Sequence, residues 1–227
     1  MNLLCGSFAV VAALMYNDLT LAFWLIVAGI VFDFFDGFVA RLLHSSSAIG
    51  VQLDSLADVI TSGLAPAAVL WQVCLQTEPC WLPETWKLGY GVFVLAAFSA
   101  LRLAKFNIDE TQTVEFCGLP TPAGSLLCAS LGMLWQQGAV ALSSDGVLLI
   151  AVLTSLLLVS PIRMFALKFH GFGWRGNEVR YLFLLASIVL IIILRTYAIP
   201  VIIVLYIVVS AVRWLCMRSG NPDKAPK

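Results

Sequence analysis

The chain has 227 residues, 61% of them hydrophobic and only 11% charged, with a mean hydropathy of +0.96. Soluble domains carry roughly 25% charged residues, so a water-soluble globule is excluded and an all-α polytopic membrane protein is expected. Lys and Arg number 13, as do Asp and Glu; with no net positive charge, nucleic acid is not expected as a partner.

Charge-free runs mark the elements in chain order: Met1 to Asn17, Leu19 to Phe32, Val59 to Thr77, Leu88 to Leu101, Phe116 to Ser144, Gly146 to Ile162, Tyr181 to Leu194 and Thr196 to Val212. Each reads as one membrane helix, about eight in all. The shortest runs fall below the roughly 20 apolar residues of a full span and must borrow polar flanking residues at the interfaces. No basic segment precedes the first run and no small-residue cleavage site stands before Asn17, so it reads as a retained helix rather than a signal peptide. The connections are too short for a soluble domain. Residues 1–218 are expected to form a single transmembrane domain, and the polar, Pro-containing stretch 219–227 a disordered cytoplasmic tail.

If the spans alternate from a cytoplasmic N-terminus, only Lys87 and Arg195 fall outside, and the other 11 of the 13 basic residues fall inside. This positive-inside bias predicts an inner, cytoplasmic membrane location with the Asp33-to-Asp58 hairpin facing the cytoplasm. Trp71, Trp81, Trp86, Trp135, Trp174 and Trp214 lie near predicted span ends and read as interfacial anchors. The six cysteines lack metal-like spacing and read as packing residues, although Cys74 and Cys80 lie on the outer side, where they could pair.

The stretch "DFFDGFVARLLHSSSAIGVQLDSLAD", Asp33 to Asp58, concentrates acids in a chain that otherwise avoids charge. A turn at "HSSS" puts Asp33/Asp36 and Asp54/Asp58 at equal depth on antiparallel helices. At about 100° per residue, Asp33, Asp36, Gly37, Ala40 and Arg41 share one face, and Gly50, Asp54 and Asp58 share another. Four carboxylates held together repel one another and need compensating charge. Arg41 offsets one. Hard divalent ions with oxygen-only ligands, Mg²⁺ or Mn²⁺, suit the rest. Two such ions would also bind phosphates, the arrangement used for in-line phosphoryl displacement. The small residues leave room for a bulky ligand near the backbone. Ser62 continues the Asp54/Asp58 face by one turn and is a candidate for lining a nucleotide pocket. His44 and His170 read as plain loop residues.

Written out, the stretch is Asp33-x-x-Asp36-Gly37-x-x-Ala40-Arg41, eight residues, then Gly50-x-x-x-Asp54-x-x-x-Asp58. In every defined position it resembles the signature of the CDP-alcohol phosphotransferases. That resemblance implies a two-metal centre on Asp33, Asp36, Asp54 and Asp58, with Asp58 also the base that activates the acceptor alcohol. It also implies a CDP site involving Gly37, Ala40, Arg41 and Gly50, and a homodimer. "NLLCGSFAV" at Asn2, "FSALRLAKFN" at Phe98, "FCGLPTPAG" at Phe116 and "LLVSPIRMFALK" at Leu157 resemble the serine-using branch. Its substrates are CDP-diacylglycerol and L-serine and its product is CMP.

Serine brings a carboxylate, for which a guanidinium fork is the best cationic partner. Arg102 and Lys105, at the inner end of the fourth span, are the candidates, a topology role being the alternative for each. Arg163 and Lys168 are further cationic candidates for phosphates. The Gly118, Pro120 and Pro122 run reads either as the start of a helix or as irregular backbone lining a polar cavity. Two other functions remain open: the same chemistry on glycerol 3-phosphate or inositol phosphate, and cation transport. Acids near one surface rather than at the midplane weigh against transport.

Overall fold

A computed structural model describes residues 1–43, 47–81, 88–108, 115–165 and 177–220. His44, Trp86, Lys87, Lys168, His170, Trp174, Arg175 and the stretch 221–227 lie outside the described residues, as does the side chain of Arg41. The apolar runs become α1 (Asn2–Leu14), α2 (Leu19–Leu42), α3 (Ala48–Asp58), α4 (Ala65–Gln76), α5 (Val94–Ile108), α6 (Thr121–Gln136), α7 (Ser144–Leu158), α8 (Glu178–Leu194) and α9 (Ala198–Gly220). A π-helical turn, Val59–Leu64, joins α3 and α4 into one rod, and a 3₁₀ turn, Leu88–Phe93, leads into α5. Among the described residues, four stretches are long and apolar enough to cross a membrane: Leu19–Ala40, Ile49–Gln76, Gly89–Ile108 and Glu178–Cys216. Asn2–Leu14 and Ser144–Leu158 are shorter apolar helices. The protein is an integral membrane protein, and α8 exposes Leu182, Leu185, Ile188, Ile192 and Ile193, a surface suited to lipid.

Local chemistry sets the helix ends. Asp18 accepts a hydrogen bond from the Leu21 amide at 2.8 Å, and Ser47 accepts one from Gly50 at 3.0 Å. Both satisfy amides that a helix N-terminus leaves without partners. Asn17, at φ 50°, turns the chain between α1 and α2, a conformation Asn tolerates better than most residues. The π turn lies just before Pro66. Pro lacks an N–H, and its ring clashes with the carbonyl four residues back; widening the preceding turn relieves that conflict within a continuous rod.

Small residues determine how closely the helices meet, as expected where lipid gives apolar side chains no incentive to associate. A Cβ on Gly6 would lie 2.3 Å from Thr61 Oγ1, and one on Gly29 2.7 Å from Thr61 Cγ2. So α1 and α2 press directly on the π turn. Ala65 to Leu70 and Val73 are fully buried, which makes α4 the centre of the bundle.

Polar contacts identify two ends. At one, Asn17 meets Gln76 through paired amides and Gln136 accepts from Leu19 and Thr20; Ser144 donates its amide to Glu78 O. Cys74 and Cys80 are free thiols, Cys74 donating to Ser144 O at 3.6 Å. Trp71, expected as an anchor, packs with its ring centroid 4.4 Å from that of Tyr90 and so also fastens α4 to the 3₁₀ turn. At the other end, β1 (Glu115–Cys117) pairs antiparallel with β2 (Arg163–Phe165). Gly118, at φ +76°, follows β1, and a Cβ there would lie 2.3 Å from Leu158 O. The Gly118 to Pro122 run is therefore both irregular backbone and the lead into α6, which starts at Thr121.

Candidate active site

The acids gather where α2 and α3 approach each other at the β1–β2 end. One carboxylate oxygen from each of Asp33, Asp36 and Asp54 lies within 4.8 Å of the others. Asp33 is half-buried, while Asp36 and Asp54 are exposed. An all-oxygen donor set this close matches the coordination preferences of a hard divalent ion, so the residues fit the metal that the motif predicts.

Asp58 departs from the expected fourfold set. It is half-buried one turn deeper and lies outside the trio. The Asn2 side chain donates one hydrogen bond to Asp58 Oδ1 at 2.9 Å and a second to Asp33 Oδ1 at 3.0 Å. Asn2 is only 3% exposed. The Thr61 hydroxyl donates to its backbone carbonyl at 3.1 Å. Asp58 thus joins the site beside Asp33, with the Asn2 amide bridging the two carboxylates.

Of the residues expected around the nucleotide, Gly37 and Ala40 are half-buried on the rod that carries Asp33, and Gly50 is exposed in the first turn of α3. Ser62 does not lie on the open face: it is 1% exposed, with a hydroxyl that has no hydrogen-bond partner. The expectation assumed a regular α-helix. The π turn between Asp58 and Leu64 holds more residues per turn, which rotates Ser62 away from the line through Asp54 and Asp58.

Arg102 is buried, and its Nη1 donates to Thr121 Oγ1 at 2.6 Å. Its guanidinium carbon sits 5.9 Å from the centroid of the Phe106 ring, and Asp58 and Tyr206 are its electrostatic neighbours. Arg102 Nε is buried without a hydrogen-bond partner, so a buried cationic donor is held beside Asp58 with capacity to spare. Lys105, in contrast, is exposed. Both line a cavity of about 370 Å³, closed by Phe106, Ile108, Cys117, and Leu158 to Pro161. Cys117 of β1 and the Leu158–Pro161 segment ahead of β2 thus form one wall of the cavity, and Asn107 ties its α5 side to Ser55 on α3 through a 2.8 Å hydrogen bond.

Sequence reasoning missed Asn2 and Thr121 as partners of the site. A polar residue opening an apolar run was the available signal for Asn2. Pro66 was the available signal for the π turn.

The description CDP-alcohol phosphatidyltransferase matches residues 1–161. The chain is 32% identical over 170 residues to the CDP-diacylglycerol–serine O-phosphatidyltransferase of Bacillus subtilis, covering 75% of this chain and 88% of that one. It is 31% identical over 200 residues to the Helicobacter pylori (strain ATCC 700392 / 26695) protein of the same name, covering 86% and 80%. A third relative of that name, from Mycobacterium tuberculosis (strain ATCC 25618 / H37Rv), is 32% identical over 241 residues, covering 99% and 81%. The matched region holds the carboxylate trio, Asn2, Asp58 and Arg102, and the chain belongs to the CDP-alcohol phosphatidyltransferase family.

Proposed function

We propose that the protein transfers the phosphatidyl group of CDP-diacylglycerol to L-serine, forming phosphatidylserine and releasing CMP. The observation that carries this reading is one juxtaposition: three carboxylates within 4.8 Å, and beside them a cavity with a buried arginine. The relatives named above support serine as the acceptor.

Asp33, Asp36 and Asp54 hold the metal, with Asp58 as a further ligand in a two-ion centre of Mg²⁺ or Mn²⁺. Bound divalent ions supply positive charge to the diphosphate of the substrate and to the departing CMP. Gly37, Ala40 and Gly50 leave room for the CDP moiety, and Arg41 assists in holding it. The Arg102 guanidinium, steadied by Thr121, receives the serine carboxylate, with Lys105 at the cavity rim. That places the serine hydroxyl toward Asp58, which accepts its proton as the oxygen attacks phosphorus.

The same reading includes eight crossings, one per rod, within a single catalytic domain of residues 1–218, and a disordered tail from 219 to 227. The active site opens to the cytoplasm from the inner membrane, where serine and CMP are soluble, and the protein works as a homodimer. A reporter fused after Arg218 is expected to read cytoplasmic, and one inserted between Thr77 and Lys87 external; the opposite result at both points overturns the orientation. The acceptor is tested by thin-layer separation of the lipid formed from labelled CDP-diacylglycerol with serine, glycerol 3-phosphate or inositol phosphate. A labelled product with serine alone is expected, and a product only with a phosphorylated acceptor overturns serine.

A further inference from the structure

The side-chain nitrogen of Asn2 donates to two different elements. Its two N–H bonds go to Asp33 Oδ1 on α2 and Asp58 Oδ1 at the end of α3, residues 31 and 56 positions away in sequence. The amide's orientation follows from its neighbours. Turned over, it would present its oxygen to two carboxylates; as placed, that oxygen is buried without a hydrogen-bond partner. Leaving a buried acceptor unmet costs free energy, and the two charge-assisted bonds offset that cost.

The backbone under Asn2 is held just as firmly. Thr61, inside the π turn, donates its hydroxyl to Asn2 O. The absent side chain of Gly29 makes room for the amide, since a Cβ there would lie 3.2 Å from Asn2 Oδ1. Gly6, one turn along α1, is pressed against Thr61. Three elements thus converge on one neutral side chain lying between two like charges.

We infer that Asn2 is a positioning residue that bridges Asp33 and Asp58 and sets the orientation of both carboxylates in the acidic site. By occupying one oxygen of Asp33 it limits how that carboxylate can turn toward Asp36 and Asp54. By holding one oxygen of Asp58 as well, it fixes the orientation of that carboxylate beside Asp33. A neutral donor suits this place: a cation would compete with the metal, and an apolar group would leave the two carboxylates facing each other. Groups that orient metal ligands typically contribute 10- to 100-fold to metal affinity. This inference rests on the metal reading given under Proposed function.

The test is Mn²⁺ binding to purified, detergent-solubilised full-length protein without lipid substrate, followed by electron paramagnetic resonance and paired with steady-state kinetics at saturating Mn²⁺. Asn2→Leu keeps the bulk and removes the donor. It is expected to weaken Mn²⁺ binding about 10- to 100-fold and, when saturated with metal, to lower kcat while leaving the serine KM within about twofold, since Arg102 is untouched. Asn2→Asp, isosteric but acidic, is expected to lose more turnover than Asn2→Leu; a packing role alone predicts that it loses less. Wild-type Mn²⁺ affinity in Asn2→Leu overturns the inference, as does turnover of the Asp variant matching wild type. Should the Asn2 variants not fold, Thr61→Val keeps the amide but frees its backbone; it is expected to weaken Mn²⁺ binding measurably, and unchanged binding overturns the inference. If wild-type protein binds no Mn²⁺, the metal reading itself fails, a result distinct from equal binding by wild type and Asn2→Leu.

Discussion

One acid at one end of this protein and a cluster of acids at the other have surroundings that differ in kind. Asp145, at the start of α7, is 5% exposed. Its Oδ1 accepts from the amides of Cys80 and Gly146, both at 3.1 Å, and its Oδ2 accepts from Trp81 at 2.6 Å. The fold supplies what that carboxylate needs, and its work is to pin the segment after α4 to α7. Asp33 instead has Asp36, Asp54 and Asp58 as electrostatic neighbours, and its trio is open to solvent at Asp36 and Asp54. A carboxylate given backbone donors is structural; carboxylates given one another require an outside cation.

The largest effects should fall on the trio. EDTA is expected to abolish transfer and Mn²⁺ or Mg²⁺ to restore it; full turnover in chelator removes the metal from the mechanism. Asp33→Asn, Asp36→Asn and Asp54→Asn should each cost on the order of 10³-fold or more in kcat, as expected when one member of a cooperating set is lost, in protein that still elutes as wild type on size exclusion.

Asp58 is expected to behave differently from the trio because its proposed role is that of the base. Asp58→Asn should lower kcat by about 10²- to 10⁴-fold, the range for a lost general base, with a much smaller change in the KM for CDP-diacylglycerol. Robust turnover by that variant removes Asp58 as the base.

A smaller effect is expected in the cavity. Arg102→Lys retains the charge but loses the fork, and should raise the serine KM by an amount equivalent to about 1–3 kcal/mol, with CDP-diacylglycerol kinetics little changed. A normal serine KM removes Arg102 from the acceptor site.

The smallest effect on chemistry belongs to Asp145. Asp145→Ala should leave Mn²⁺ affinity and kcat at wild-type values while lowering the thermal midpoint, measured by scanning fluorimetry in detergent. Loss of Mn²⁺ binding in that variant would erase the distinction between the two ends.

Much of this was legible in the linear chain. The apolar runs foretold each helical rod, because a segment in lipid must satisfy its own backbone hydrogen bonds. The spacing of Asp33, Asp36 and Asp54 foretold that their carboxylates gather, because helical periodicity converts sequence intervals into faces. Arg102 was legible as a cation near the inner end of its span, though its Thr121 partner was not.

What the tertiary structure alone decided concerns rotation and partnership. Ser62 points inward because Pro66 lies downstream of a widened turn, and a single π turn changes the face of every residue beyond it without changing the spacing. Asp58 is tied to Asp33 because Asn2 reaches both from α1, an approach set by Gly6 and Gly29. The cavity beside Asp58 joins residues near 102, 117 and 160, whose proximity depends on the β1–β2 pairing and the left-handed turn at Gly118. Periodicity reports on one helix at a time, whereas the partner of a polar side chain depends on how closely two helices pack, and in this bundle the absence of side chains sets that distance.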